Sequence, residues 1–429
     1  MRHTPRAFLE GLYQAAVAAA QPAACLPGHL PPPRAGRLVI LAAGKAAGSM
    51  TELAEQHYLE TCGLSADRIT GLATTREGYG RPTRRVRLVE AGHPVPEAAS
   101  VSAATEALAL AEAATRDDLV LVLISGGASA NWVAPAPGVT LADKQAVTRA
   151  LLASGATIVE INTVRKHLSR IKGGRLARSA HPARVVAIGI SDVPHDDPAV
   201  IGSGPTVPDA TTLADAREVV ARYGLRVPEA VTRALADPGN ESPKPGDPIF
   251  ANTSFVLAAH PAQMLEAAHQ AARRAGYECV LLGSDLEGEA RDVAAAQARL
   301  ALSIKAEGRR AVILSGGELT VTLRGKGRGG PNQEYALELA VALAGAEGIF
   351  ALAGDTDGTD GGGGRPDDPA GAFVDQTTLT RARALGLDPA HFLNDNNSTA
   401  FFERLGDLLV PGPTFTNVND FRAILVDGG

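Results

Sequence analysis

Six short apolar runs, each ending in glycine or aspartate, constrain this chain more than anything else in it. They are RLVILAAG (37–44), DLVLVLISGG (118–127), RVVAIGISD (184–192), CVLLGSD (279–285), RAVILSGG (310–317) and GIFALAGD (348–355). They do not alternate apolar with polar residues, the pattern of strands buried on both faces, as in parallel sheets. Alanine-rich stretches of helical character lie between them, for example 100–115 and 287–305. The alternation predicts an α/β fold with mostly parallel, Rossmann-like sheets flanked by helices. In such sheets ligands bind beyond the carboxyl ends of the strands, so each run end is a candidate ligand loop.

A length of 429 residues argues for two domains, with three as the alternative. The segment DPGNESPKPGD (237–247), rich in proline, glycine and charge, is the best boundary. It predicts an N-terminal α/β domain over 1–240 and a C-terminal α/β domain over 241–429. Residues 1–36, an amphipathic helix and the connector LPGHLPPPRAG (26–36), need not belong to the first core. A faint echo links the halves: ISGGAS (124–129) and LSGGEL (314–319) each place Ser-Gly-Gly directly after a strand.

Charge and cysteine content exclude several classes. A net charge of -6 gives nucleic-acid binding no support. No apolar run approaches a membrane span, and Glu10 interrupts the N-terminal apolar pattern, so a helix is expected there and no signal peptide. Cys25, Cys62 and Cys279 have no metal-binding spacing and read as thiols of a reducing compartment; a cytoplasmic protein is expected.

Two glycine-rich segments of opposite charge carry the chemistry. The segment NTVRKHLSRIKGGR (162–175) holds only cations, and GDTDGTDGGGG (354–364) only anions. In the first, Asn162, Arg165 or Lys166, Ser169 and Lys172 recur at helical spacing, with Gly173-Gly174 ending the helix. A solvated face usually mixes signs, so an unmixed cationic face points to an anion. In the second, Asp355 and Asp357 at a strand end are candidate magnesium or ribose ligands; the later glutamate of a calcium-binding EF-hand loop is missing.

Four further loops join them. Gly44-Lys45 follows the first strand and offers a mobile cation beside helix N-terminal amides, or is an ordinary strand–helix turn. Ser125, Gly126, Gly127 and Ser129 form either a backbone nest for phosphate oxygens or a ligand-free turn. Asp192 closes a strand where magnesium, which takes one or two carboxylates, could be held; Asp196 and Asp197 read as helix caps. Ser315, Gly316, Gly317 and Glu318 lead to a loop whose glycines surround Lys326 and Arg328, ahead of Asn332 at a helix start. Those glycines look unlike packing residues and suit a loop that presents cations to a phosphoryl group or carboxylate. The polar blocks NDNNS (394–398) and GPTFTNVND (412–420) read as caps and turns, and His93 as structural. Neither a Walker A motif nor a dinucleotide fingerprint is present.

Taken in order, GKAA (44–47), GHPVPE (92–97), SGGASA (125–130), NTVRKHLSRIKGGRLA (162–177), SDVPHDDPAVIGSGPT (191–206), SGGELTVTLRGKGRGGPNQEYAL (315–337), GDTDGTDG (354–361) and GPTFTNVND (412–420) resemble the class II glycerate kinases. Their C-terminal part is called the MOFRL domain, and the resemblance runs from about Arg37 to the end. It implies ATP-dependent, Mg2+-dependent phosphorylation of D-glycerate, most often to 2-phosphoglycerate, by two α/β domains with the active site in the cleft between them. It implies functional roles for Lys45 and Arg328, the same cations the loops single out. It also implies a small-molecule substrate, without nucleic acid or membrane, for a monomer or homodimer. Three departures stand out: SGGASANW for SGGGSALL, His195 where glycine is common, and a varied NDS block at 394–398. Relatives have carried the name hydroxypyruvate reductase, but a hydride-transfer enzyme needs a nicotinamide site and none is recognisable. A non-catalytic sensor of phosphorylated metabolites is the remaining alternative.

Overall fold

The computed structural model describes residues 4–361, 365 and 367–427. The end of the acidic run, 362–364, lies outside the described residues. The chain forms two compact units: Cys25–Ala258, and Met1–Ala24 together with Ala259–Gly429.

In the Cys25–Ala258 unit the strands are β1 (Leu38–Ala43), β2 (Ile69–Arg76), β3 (Arg87–Ala91), β4 (Leu119–Ile124), β5 (Arg184–Ile190) and β6 (Thr253–Ala259), whose last residue falls at the division between units. Their order in the sheet is β3-β2-β1-β4-β5-β6. The pairings of β1 with β2 and β4, of β2 with β3, and of β4 with β5 are all parallel. Every residue of β1 and β4 is buried, as unbroken apolar runs require. Helix Ala98–Glu112 covers one face with its small residues Ala103, Ala104, Ala107 and Ala111, which let helix and sheet approach closely. A separate helical cluster, built on Val147, Leu151, Ile161, Val164, Leu213 and Val231, has its own core.

The second sheet contains β7 (Glu278–Leu281), β8 (Ala311–Ser315), β9 (Ile349–Asp355), β10 (Gly371–Val374), β11 (Leu408–Leu409) and β12 (Asp420–Val426). Their order is β11-β10-β9-β12-β8-β7. Here the parallel pattern gives way. Only β7 and β8 pair in parallel, whereas β12 runs antiparallel between β8 and β9, and β10 antiparallel to β9 and β11. The reason is β12, which the apolar runs did not include: FRAILV follows a polar loop and inserts at the centre of the sheet, fully buried. Helices Ala290–Ala306 and Pro331–Leu343 pack on this sheet through Ala294, Ala298, Ala301, Leu337 and Ala340.

The units divide at Ala258, downstream of 237–247, because β6 completes the first sheet. The proline-rich segment is itself tied into the first unit: Glu241 accepts from Leu213 N at 3.0 Å, and Asn240 and Ser242 are buried. Helix Pro5–Ala19 belongs to the second unit, where the Tyr13 hydroxyl donates to Asp355 O at 2.8 Å. No helix among the described residues is long and apolar enough to cross a membrane.

Candidate active site

In the Cys25–Ala258 unit, four sequence-predicted loops meet at the carboxyl ends of β1, β4 and β5. The Gly44 and Ser125 turns are laced together: Lys45 N donates to Gly126 O at 2.8 Å, and Ala46 N donates to Ser125 Oγ at 2.9 Å. The Ser125 hydroxyl is therefore buried and joins two loops. Gly127 has φ +85°, and a Cβ there would sit 3.0 Å from His93 Cδ2 and 3.4 Å from Lys45 Cγ. Lys45 and His93, the latter read from sequence as structural, thus border one bare backbone patch. Ser129 Oγ lies 2.7 Å from Ser203 Oγ, and Lys172 Nζ donates to Ser129 O at 3.0 Å. Gly173 N and Gly174 N donate to Ser203 O and Gly204 O. Asp192 is half-buried just past β5, beside the turn in which Val193 N donates to Ser191 Oγ at 3.3 Å.

The cationic segment is not one helix. Helix Ile158–His167 is capped at Leu168, and the Ser169 hydroxyl accepts from Ile171 N and Lys172 N at 3.3 Å each. Gly174, with φ +76°, then opens helix Arg175–Ala180 instead of closing the previous one. The physical reason is the bend that buries Leu168 and Ile171. Asn162 and Arg165 stay together on the first helix, where Arg165 Nη1 reaches Asn162 Oδ1 at 3.4 Å. Lys172 reaches the strand ends from the loop.

This segment is also far less solvated than a charge run suggests. Lys166, Lys172 and Arg175 are buried, and so is Lys144, which sequence reasoning missed. Burial pushes the Lys172 ammonium well below the usual lysine range, and Arg165, Lys144 and Lys166 push the same way. Lys144 is pushed down to about 7 by burial, with Arg165 and Arg175 adding to it. Acidic partners come from distant sequence. Asp209 lies 3.4 Å from Lys166 Nζ, and although burial opposes it, Lys166 holds its carboxyl below the usual range. Glu241 Oε1 lies 3.1 Å from His167 Nε2.

In the second unit the two glycine loops are stitched to one another. Asp360 Oδ1 accepts from Asn332 N at 3.0 Å and its Oδ2 from Gln333 N at 2.9 Å, capping helix Pro331–Leu343. The side chains of Asn332 and Gln333 donate to the same carboxylate. Asn332 Nδ2 also donates to Asp420 Oδ1 at 2.7 Å, while its buried Oδ1 has no hydrogen-bond partner among the described residues. Arg422, fully buried in β12, pairs with Asp420 Oδ2 at 3.0 Å and donates to Ser315 Oγ, Gly316 O and Gly317 O. Burial and the neighbouring Asp420 carboxylate raise Asp360 to about 7. Asp360, Asp420 and Arg422 were not singled out from sequence. An arginine within the apolar run FRAILV was the available signal, because a buried guanidinium demands fixed partners. The Ser-Gly-Gly echo repeats in three dimensions: Gly317 has φ +90°, matching Gly127, and both serines are buried.

The Lys326–Arg328 loop corrects one expectation. Its glycines do serve packing: a Cβ at Gly325 or Gly327 would collide with Asp395 and Asn397. The block 394–398 holds that loop, with Asn396 Oδ1 accepting from Arg324 N at 2.6 Å and Asp395 O from Gly327 N at 2.8 Å. The side chain of Arg328 remains exposed, 3.8 Å from Glu403. Glu318 is exposed too.

Among the described residues no group of three or more His, Cys, Asp or Glu side chains is placed to hold a metal. Asp355 Oδ1 accepts from Asp357 N at 2.9 Å, and Asp357 Oδ1 from Thr359 N at 2.7 Å. One or two carboxylates on a fixed turn suit magnesium, which takes its other ligands from phosphate and water, and do not suit an all-protein cage.

Residues 8–236 match a family described as a domain of unknown function (DUF4147), and 311–420 match the MOFRL family. A protein of Agrobacterium vitis with the provisional name hydroxypyruvate reductase is 48% identical over 98% of this chain and 94% of its own length. A glycerate 2-kinase of Pyrococcus horikoshii is 40% identical over 91% of this chain and 88% of its own. The crystal structure of a glycerate kinase from Thermotoga maritima superposes with a TM-score of 0.85 at 36% identity, covering 98% of this chain and 99% of that one.

Proposed function

The chain belongs to the class II glycerate kinase family, and from that premise we propose that it transfers the γ-phosphoryl group of ATP, with magnesium, to D-glycerate, giving 2-phosphoglycerate. The observation that carries this reading is the convergence of the Gly44, Ser125, Gly173 and Ser203 loops at neighbouring strand ends of one sheet, with Lys45 and Lys172 among them. The name of the Pyrococcus relative supports the 2-position of transfer. Phosphoryl transfer needs mostly positioning and charge stabilisation, which bare amides and cations provide.

In this reading Gly126, Gly127 and Ser129 present backbone to phosphate oxygens. Lys172 and Arg165, held with depressed proton affinity by burial, gain charge stabilisation when an anion arrives. Lys45 and Arg328 neutralise charge on the transferring group and the glycerate carboxylate. Gly44, Ser315, Gly316, Gly317, Glu318, Lys326 and Asn332 complete the nucleotide-binding set. Asp192, Asp355 and Asp357 are the residues that would hold magnesium, which when bound supplies charge neutralisation between phosphates.

The test is incubation with ATP, magnesium and D-glycerate, followed by ADP release and phosphorus NMR of the product. ADP formation with a 2-phosphoglycerate signal is expected. NADH consumption with hydroxypyruvate and no ADP release would instead establish the reductase reading. Lys45→Ala and Arg328→Ala are each expected to lower kcat by roughly 10²–10³ with an unchanged circular dichroism spectrum. Near-normal turnover in both variants would remove these roles.

A further inference from the structure

At the amino-terminal edge of the first sheet, the end opposite the Gly44 and Ser125 loops, three arginines line one concavity of about 520 Å3. Arg34 precedes β1, Arg116 precedes β4 and Arg184 is the first residue of β5. Asn252, Thr253 and Ser254, at the start of β6, supply neutral polar groups, and no carboxylate is among the lining residues. Among the described residues none of the three arginines forms an ion pair. The neighbouring Asp118 is committed elsewhere: it pairs with Arg37 at 3.1 Å and accepts from Thr115 N at 2.8 Å.

The backbone under these arginines is fixed. Arg68 donates to Ala35 O at 2.8 Å and to Gly36 O at 3.1 Å, clamping the connector that carries Arg34. Tyr58, buried, donates to Pro31 O at 2.6 Å in the same connector. Gly36 N donates to Asp117 O at 3.0 Å and Leu119 N to Arg37 O at 2.9 Å, which joins the Arg34 and Arg116 segments. Leu119 is in turn the register partner of Arg184. Three like charges are thus brought together by sheet geometry, and their mutual repulsion is relieved by an anion. Guanidinium forks recognise phosphate and carboxylate oxygens in pairs, and the concavity falls within the size range of small-molecule sites.

We propose that this concavity is a second anion site, binding a small polyanion that carries phosphate or carboxylate groups at the end of the sheet remote from the strand-end loops. The experiment is titration calorimetry of the full chain with pyrophosphate and, separately, citrate, at physiological ionic strength. Proteins compared are the wild type, the R34Q/R116Q/R184Q variant, Ser254→Asp, which puts a carboxylate in the lining, and Lys45→Ala. Wild type and Lys45→Ala are expected to share one binding event of at least one of the two anions, and the other two variants to lose at least about tenfold in the affinity of that event; pyrophosphate binding at the strand-end loops is a separate event that Lys45→Ala weakens. Preference for pyrophosphate assigns an organic phosphate as the natural class, and preference for citrate a polycarboxylate. Equal affinity in wild type and the arginine variant, loss confined to Lys45→Ala, or no binding of either anion by the wild type would overturn the proposal. All three arginines and Ser254 are exposed, so the variants are expected to unfold at the wild-type temperature without anion. Failure of the kinase assay would leave this titration unaffected.

Discussion

His195 shows how one side chain can work against its own backbone. It is exposed and has φ +61°, a region where a side chain costs about 1–2 kcal/mol and glycine costs little. The sequence departure at this position is therefore a departure in strain. His195→Gly is expected to raise stability by about 0.5–1 kcal/mol, after the entropic penalty of glycine, as a higher urea midpoint. A midpoint that stays or falls would mean that the imidazole stabilises the turn. Lys144 is the opposite case, a charge with partners but little water. Its folded value of about 7 lies below the ordinary 10.5, so the unfolded chain binds more protons between those limits. Stability therefore rises with pH through that window. Lys144→Met is expected to be more stable than wild type near pH 7, by a margin that shrinks as pH approaches 10; a pH-independent margin would refute the assignment. The place of Lys45 just past β1 was legible because glycine beside a lysine at a strand end is local information. Lys144 was not: its carbonyl partners Leu168 and Arg165 lie on another helix, and no spacing in the sequence encodes them.

Among the elements, helix Pro331–Leu343 depends most on distant sequence. Its first-turn amides are capped by Asp360, which accepts four hydrogen bonds from Asn332 and Gln333. The Arg328 loop runs directly into this helix, so the acidic loop sets where the cationic loop ends. Asp360→Ala is expected to cost about 1–2 kcal/mol and to speed hydrogen exchange at the start of the helix. Unchanged exchange there would show that the cap is dispensable. The proton linkage has a definite sign. Asp360 titrates near 7 when folded against an ordinary 3.8, so the folded state holds its proton more tightly. Its contribution to stability is greatest below the ordinary value and is lost as pH rises from about 4 to about 7. The difference in urea midpoint between wild type and Asp360→Asn should follow that window, Arg422 and Asp420 being the other charged groups in the network. Strands buried on both faces were readable from continuous apolar runs, and all six runs contain strands. Strand β12 and its direction were not, since an antiparallel insertion is decided by partners far along the chain. The helix end at Leu168 was hidden because the cation spacing continued past it.

The whole molecule is threaded so that its first helix completes its last unit. Helix Pro5–Ala19 buries Leu9, Leu12, Tyr13 and Ala16 there. Polar ties close the seam: Gln21 Nε2 donates to Thr414 O and Thr416 Oγ1 to Ala20 O, each at 2.6 Å, and Arg6 pairs with Asp407 at 3.1 Å. Phe8 packs against Tyr277 with tilted rings, their centroids 5.0 Å apart. Burying each large apolar side chain stabilises by about 1.5–3 kcal/mol, so this helix contributes a large fraction of a domain's usual net stability. Amphipathic spacing made the helix legible, but its destination was not, because the connector at 26–36 leaves the direction of docking open. Residues 259–429 expressed alone are expected to be poorly folded, whereas the same residues fused to 1–24 through a flexible linker should give a cooperative urea transition. The donation of Tyr13 to Asp355 O reaches the carboxylate turn itself, so the full chain carrying Tyr13→Phe should keep its fold yet lose catalytic efficiency at limiting magnesium. Equal cooperativity of the isolated and fused segments would show instead that the second sheet holds its shape without the helix.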